Sequence, residues 1–159
     1  MSIKTGETFP LGTFRFKDNE GVKEVATEQY FSAKKVVLFA LPGAFTPTCS
    51  AKHLPGYIKL FDNIIKKGVS SIACMAVNDP HVMHAWGEVS NVDGKVDMLS
   101  DSDCSISKSL GLDMHFGKVL GHRCKRFAMI VDKNIITKLF LEESGAFEVS
   151  TAENILNNL

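Results

Sequence analysis

The chain has 159 residues, 45% apolar and 23% charged, a globular composition far from that of disordered chains. Eighteen Lys and Arg balance eighteen Asp and Glu, so no basic excess favours nucleic acid or another polyanion. Four cysteines are too few for a disulfide scaffold, and the longest apolar run, Val36 to Leu41, is far short of the roughly 20 residues a membrane helix needs. Met1 to Gly6 carries no signal or transit pattern, so the expectation is a single cytoplasmic domain over residues 1–159 with reduced thiols and no membrane contact.

Thr13 to Lys17 and Val22 to Val25 alternate with period two around Asp18-Asn19-Glu20-Gly21, which predicts a β-hairpin. Lys35 to Leu41 is a continuous β-branched and apolar run, as in a central strand covered on both faces. After the loop Pro42 to Thr48 a helix is expected, with Tyr57, Leu60, Phe61, Ile64 and Ile65 at helical spacing and Gly68 as its stop. Pro55 should kink or restart it, since proline lacks an N–H and clashes with the preceding turn. Val69 to Val77 is the next buried strand, and Asn78-Asp79-Pro80 caps a helix carrying Trp86. Val96 to Leu99 predicts a third strand, with a short helix following around Ile106 to Leu110. His122 to Val131 and Ile135 to Leu141, separated by Asp132-Lys133-Asn134, predict an antiparallel hairpin. Ser150-Thr151-Ala152-Glu153 has the form of a capping box before a last helix with Ile155, Leu156 and Leu159.

Strands joined through a helix are parallel with a right-handed crossover, and the terminal ββα adds antiparallel strands to the same sheet. The expected fold is therefore α/β: a thioredoxin-like arrangement with a central mixed sheet, flanking helices and an N-terminal β-hairpin.

Sites in such sheets lie beyond the carboxyl end of a central strand, where the next helix begins. That position reads Pro42-Gly43-Ala44-Phe45-Thr46-Pro47-Thr48-Cys49-Ser50, which delivers Cys49 into the first turn of a helix. Unpaired N–H groups and the helix dipole favour an anion there, so the thiol should ionise more readily than a free cysteine and act as a nucleophile. The bland reading is a small buried hydrophobe. In the predicted strand from His122, Arg126 shares a face with Cys124, Ala128 and Ile130 and points at the core. A guanidinium there needs an anion, either a carboxylate or the Cys49 thiolate.

Pro42-x-x-x-Thr46-x-x-Cys49 matches the peroxiredoxin active-site motif. The longer string from Pro42 to Tyr57 resembles the type II, or atypical, peroxiredoxins, and the likeness continues through Val77-Asn78-Asp79-Pro80, Trp86 and Lys125-Arg126-Phe127 into the last helix. The resemblance implies a thioredoxin-like fold, a homodimer, and thiol-dependent reduction of hydrogen peroxide and alkyl hydroperoxides without a cofactor. It also implies catalytic roles for Pro42, Thr46, Cys49 and Arg126. Thr46 would donate to the peroxide, Arg126 would stabilise thiolate and transition state, and the N–H groups of Thr48 and Cys49 would donate as well. Cys49 would become a sulfenic acid.

Some type II relatives carry a resolving cysteine where this chain has Val149. Others have a second cysteine near Cys74, which here lies mid-strand and suits a structural role better than a resolving one. Cys104 and Cys124 match no family thiol. An external thiol is then expected: glutathione with glutaredoxin, or thioredoxin. The alternatives are an internal Cys49–Cys74 disulfide reduced by thioredoxin, a monothiol oxidoreductase built on Cys49, and a non-catalytic redox sensor or interaction module. Cys49 with His53, or His81 with His84, lacks the accompanying spacing of a closed zinc site, so no metal is expected.

Overall fold

The computed structural model describes residues 2–159. Its centre is β3 (Lys35–Ala40), hydrogen-bonded in parallel to β4 (Ser71–Ala76), which is parallel in turn to β5 (Val96–Ser100). On the other side β3 meets β8 (Phe127–Asp132) antiparallel, and β8 meets β9 (Ile135–Leu141). The N-terminal hairpin of β1 (Thr13–Asp18) and β2 (Gly21–Ala26) completes a seven-stranded sheet in the order β2-β1-β5-β4-β3-β8-β9. This is the expected thioredoxin-like mixed sheet.

Alternation along β3 separates two cores. Val37 and Phe39 pack with Ile72, Cys74, Ala128 and Ile130 on one face, and Val36, Leu38 and Ala40 pack with Ala73, Met75 and Met129 on the other. All are buried, which is why β3 and β4 read as unbroken apolar runs. Cys49, Tyr57, Ile64 and Trp86 cover the first face. Among the described residues no helix is long and apolar enough to cross a membrane.

The segment after the Pro42 loop is not one uniform helix. A π-helical turn spans Cys49–His53, followed by α2 (Leu54–Lys59) and α3 (Phe61–Ile65); a single turn, α1 (Thr27–Tyr30), precedes β3. Pro55 has no N–H for the Ala51 carbonyl and its ring would strike it, so the turn widens and the Leu54 N–H bonds Cys49 O, five residues back. α2 then restarts with Pro55 in its first turn, where proline is tolerated. Downstream, α4 (Pro80–Val89) is capped by Asp79, whose carboxylate accepts from the Val82 N–H at 3.0 Å. α5 (Ser105–Leu110) follows β5.

Three expectations need correction. His122 to Val131 is not one strand: β7 (His122–Cys124) pairs with β6 (Asp113–His115) across α6 (Gly117–Leu120), and the chain leaves strand geometry at Lys125 and Arg126 before β8. The Lys125 N–H turns to Leu112 O at 2.7 Å, and Arg126 O accepts from Glu142 N at 3.1 Å. Cys124 therefore packs in the opposite core from Ala128 and Ile130, so it does not share the face of Arg126. The β8–β9 turn has two residues rather than three, Lys133 and Asn134, both with positive φ as in a type I′ hairpin. Finally, α7 (Ala152–Asn157) is capped by Thr151, which accepts from Asn154 N at 3.1 Å, not by Ser150. The Ser150 hydroxyl is already committed, donating to Glu142 Oε2 at 2.7 Å.

Candidate active site

Pro42 follows the end of β3, and the chain is already helical at Pro47 and Thr48, so Cys49 lies in the first helical turn as the sequence predicts. The first N–H in this turn bonded within the chain is that of Ser50, to Thr46 O at 2.9 Å; those of Thr48 and Cys49 precede it. Cys49 is 0% exposed, sealed by the apolar face around Phe39 and Ala128. Thr48, next to Cys49 in the chain, and Arg126 line a cleft of about 450 Å³ together with Pro42, Met114 and Phe116, with the 141–146 segment as its far wall.

Arg126 meets the sulfur directly: its Nη2 donates to Cys49 Sγ at 3.1 Å. Among the described residues it forms no ion pair with a carboxylate, so the choice the sequence leaves open falls on sulfur. Its Nη1 donates to His53 Nδ1 at 2.8 Å, and His53 Nε2 in turn donates to Ser150 O at 3.1 Å. Tyr57 also donates to that carbonyl, at 2.7 Å. Burial, reinforced by the Arg126 charge, holds the His53 pKa down to about 3, so the ring is neutral and can accept from a guanidinium. The Phe147 ring lies 5.8 Å from the guanidinium carbon. Glu142 fixes the far end of the chain of bonds, its Oε2 accepting from Ser150 N, Ser150 Oγ and Glu148 N at 2.8, 2.7 and 2.8 Å.

Thr46 differs from expectation in one respect. Its hydroxyl donates to Gly43 O at 2.7 Å, so the lone pairs rather than the proton are free for a bound molecule. The loop around it is tied to the β4–α4 connection, where Asn78 Oδ1 accepts from Ala44 N at 2.8 Å. Trp86 Nε1 donates to Ser50 Oγ at 3.0 Å beside the thiol.

The remaining cysteines lie apart from this cleft. All four are free thiols and all are buried. Burial pushes the Cys74 thiol well above its usual range and that of Cys124 up to about 12, while Cys124 Sγ donates to Leu41 O at 3.1 Å. Val149 is 37% exposed. Among the described residues no group of three His, Cys, Asp or Glu is arranged to hold a metal.

The sequence brings out Pro42, Thr46, Thr48, Cys49 and Arg126; of these Pro42, Thr48 and Arg126 line the cleft, Cys49 is bonded to Arg126 behind it, and Thr46 is tied to the Pro42 loop through Gly43 O. His53 enters the sequence reading as a metal partner of Cys49, set aside there in favour of a hydrogen-bonded or exposed side chain; its position four residues on is the signal that it shares the thiol's side of the turn. Glu142 and Ser150 leave no such signal, because they join the site through tertiary bonds alone.

The Redoxin family profile matches residues 4–156. Peroxiredoxin-2B of Arabidopsis thaliana is 40% identical over 159 residues, covering 99% of this chain and 98% of that protein. Chloroplastic peroxiredoxin-2E-2 of Oryza sativa subsp. japonica is 41% identical over 164 residues, covering 99% of this chain and 73% of that one. Among solved structures, reduced Prx3 of Vibrio vulnificus in complex with H2O2 superposes with a TM-score of 0.96 at 47% identity, covering 98% of each chain.

Proposed function

The chain belongs to the redoxin family and is a type II peroxiredoxin, a thiol-dependent peroxidase, and from that premise we propose that Cys49 is its peroxidatic nucleophile, served by Arg126, Thr46, Pro42 and the N–H groups of Thr48 and Cys49. The observation that carries this reading is the 3.1 Å bond to the Cys49 sulfur from Arg126, which itself lines the cleft.

The Cys49 thiolate attacks one peroxide oxygen in line. An S–O bond forms, the O–O bond breaks, and the other oxygen leaves with the bonding pair and takes a proton as water or alcohol. Sulfur is oxidised by two electrons to a sulfenic acid. Negative charge moves from sulfur to the leaving oxygen, and Arg126, fixed beforehand by His53, faces that charge without reorganising. The Thr46 lone pairs accept from the peroxide O–H and turn its O–O axis toward sulfur, while Pro42 walls off water.

Recycling is assigned to an external thiol. One glutathione condenses with the sulfenic acid to a mixed disulfide and water, and a second, or glutaredoxin, releases Cys49 as thiol; thioredoxin is the other candidate reductant. A reducing, cytoplasmic setting suits this route. We also assign a homodimer, as the family resemblance implies; Phe45 beside Thr46 and Val119 in α6, 54% and 94% exposed, are apolar groups that a partner subunit would cover.

The test is peroxide consumption with glutathione, glutaredoxin and thioredoxin systems run in parallel on wild type and Cys49→Ser. The serine variant should fold and lose turnover entirely; appreciable activity in it would remove Cys49 from the mechanism.

A further inference from the structure

Arg123 lies on β7, two residues before the Lys125-Arg126-Phe127 run, and its guanidinium forms no ion pair among the described residues. It is committed to two backbone carbonyls instead. Nε donates to Leu120 O at 3.0 Å, at the end of α6, and Nη1 donates to Pro42 O at 3.2 Å. A half-buried charge held by carbonyls alone is an expensive arrangement, which points to a geometric purpose.

Gly43 makes the arrangement possible. A Cβ there would come within 2.8 Å of Arg123 Nη1, too close for either group to stay in place. The glycine is thus required for close approach rather than for an unusual backbone angle. Its carbonyl is also the group that takes the Thr46 proton, at 2.7 Å. Pro42 to Thr46 is accordingly held at consecutive points: Pro42 O by Arg123, Ala44 N by Asn78, and the Thr46 hydroxyl by Gly43 O.

We propose that Arg123 is a positioning residue for peroxide reduction: through Pro42 O it fixes the Pro42 ring at the cleft and, one residue on, the carbonyl that orients Thr46. Its task differs from that of Arg126, which touches sulfur. Loss of Arg123 frees the wall and the hydroxyl that receive the peroxide but leaves the sulfur's own partner in place. The inference rests on the roles assigned above to Pro42 and Thr46.

Two second-order rates on the same protein separate these tasks: reaction of Cys49 with hydrogen peroxide, and its alkylation by iodoacetamide, which needs a thiolate but no peroxide site. Wild type should show both, and a wild type inert to peroxide would overturn the functional reading rather than this one. Arg123→Met should lose about tenfold or more in the peroxide rate while alkylation stays within about twofold, the scale at which a displaced supporting residue costs rate. Arg123→Lys, which can reach one carbonyl but not fork between two, should recover part of the loss. Gly43→Ala, which pushes the guanidinium off by contact, should behave as Arg123→Met and serves if the methionine variant does not fold. A folded Arg123→Met with the wild-type ratio of the two rates would overturn the proposal, as would a parallel fall in both.

Discussion

At the scale of single residues the chemistry rests on one guanidinium with two tasks. Arg126 offers Nη2 to sulfur and Nη1 to a histidine that burial and the guanidinium's own charge keep neutral. A protonated His53 could not accept that bond, so the acid range in which the ring titrates is also the range in which the site loosens. Arg126→Met removes fixed charge without removing bulk, and with it the donor that faces both the sulfur and the leaving oxygen. The peroxide rate should fall about 100-fold and stay low as the pH is raised, the usual cost of deleting one preorganised donor to a developing oxyanion. Stopped-flow peroxide rates across pH check this. Full recovery at high pH would restrict Arg126 to forming the nucleophile and leave transition-state stabilisation to Thr46 and the helix N–H groups.

At the scale of elements, β1 to β5, β9 and α4 are legible because each rests on local physics: two-residue alternation, an unbroken apolar run, or an Asp-Pro cap. What sequence reading loses is tertiary in origin. β6 and β7 are three-residue strands that exist only because they pair with each other, and His122 to Val131 looks continuous because nothing local announces the break at Lys125. The cap of α7 moves from Ser150 to Thr151 for a similar reason, since Glu142, eight residues upstream, claims Ser150. That carboxylate makes the element testable. Burial alone would raise its pKa, but the donors from Ser150 and Glu148 outweigh burial and leave it lowered from 4.5. A lowered carboxylate contributes stability that is present above its unfolded value and is lost as pH falls through the folded one. His53 adds an earlier loss: its folded pKa is about 3 against 6.5 unfolded, so stability falls from about pH 6.5 downward as the unfolded chain alone takes up the proton. Glu142→Gln should cost about 1–3 kcal/mol at pH 7, as loss of hydrogen bonds to a charged group does, and this gap should close below about pH 4. Both proteins should keep the His53 slope nearer neutrality. Urea unfolding at a series of pH values measures both; a gap unchanged at pH 3 would show that Glu142 does not act as an ionised acceptor.

At the scale of the molecule, the sheet decides which thiols can take part in turnover. Cys49 lies in the first turn of a helix with the Arg126 guanidinium on its sulfur, while Cys74 sits in the middle of β4, opposite Phe39 on one side and Met98 on the other. Its thiol is pushed well up by burial in the same core that holds Cys49, and could attack a sulfenic acid only after that packing opens locally. Cys124 is bonded to Leu41 O and held at about 12, and Cys104 is likewise raised, first by burial. Val149, the partly exposed residue in the segment that Glu142 pins, offers no thiol at all. Attack on the sulfenic acid needs a thiolate, and disulfide closure needs Cα atoms within about 7 Å, so the internal route has neither a ready nucleophile nor a mobile partner. Replacing Cys74, Cys104 and Cys124 together by alanine, which buries no unpartnered hydroxyl, should keep turnover with glutathione and glutaredoxin within about twofold of wild type once folded protein is counted. Intact mass after one equivalent of peroxide should show the Cys49 sulfenic acid, or its glutathione adduct when that thiol is present. A stoichiometric Cys49–Cys74 disulfide, with turnover lost in Cys74→Ala, would reverse the assignment: the core that holds both thiols would have to open in each cycle, and thioredoxin acting on that internal bond would become the reductant.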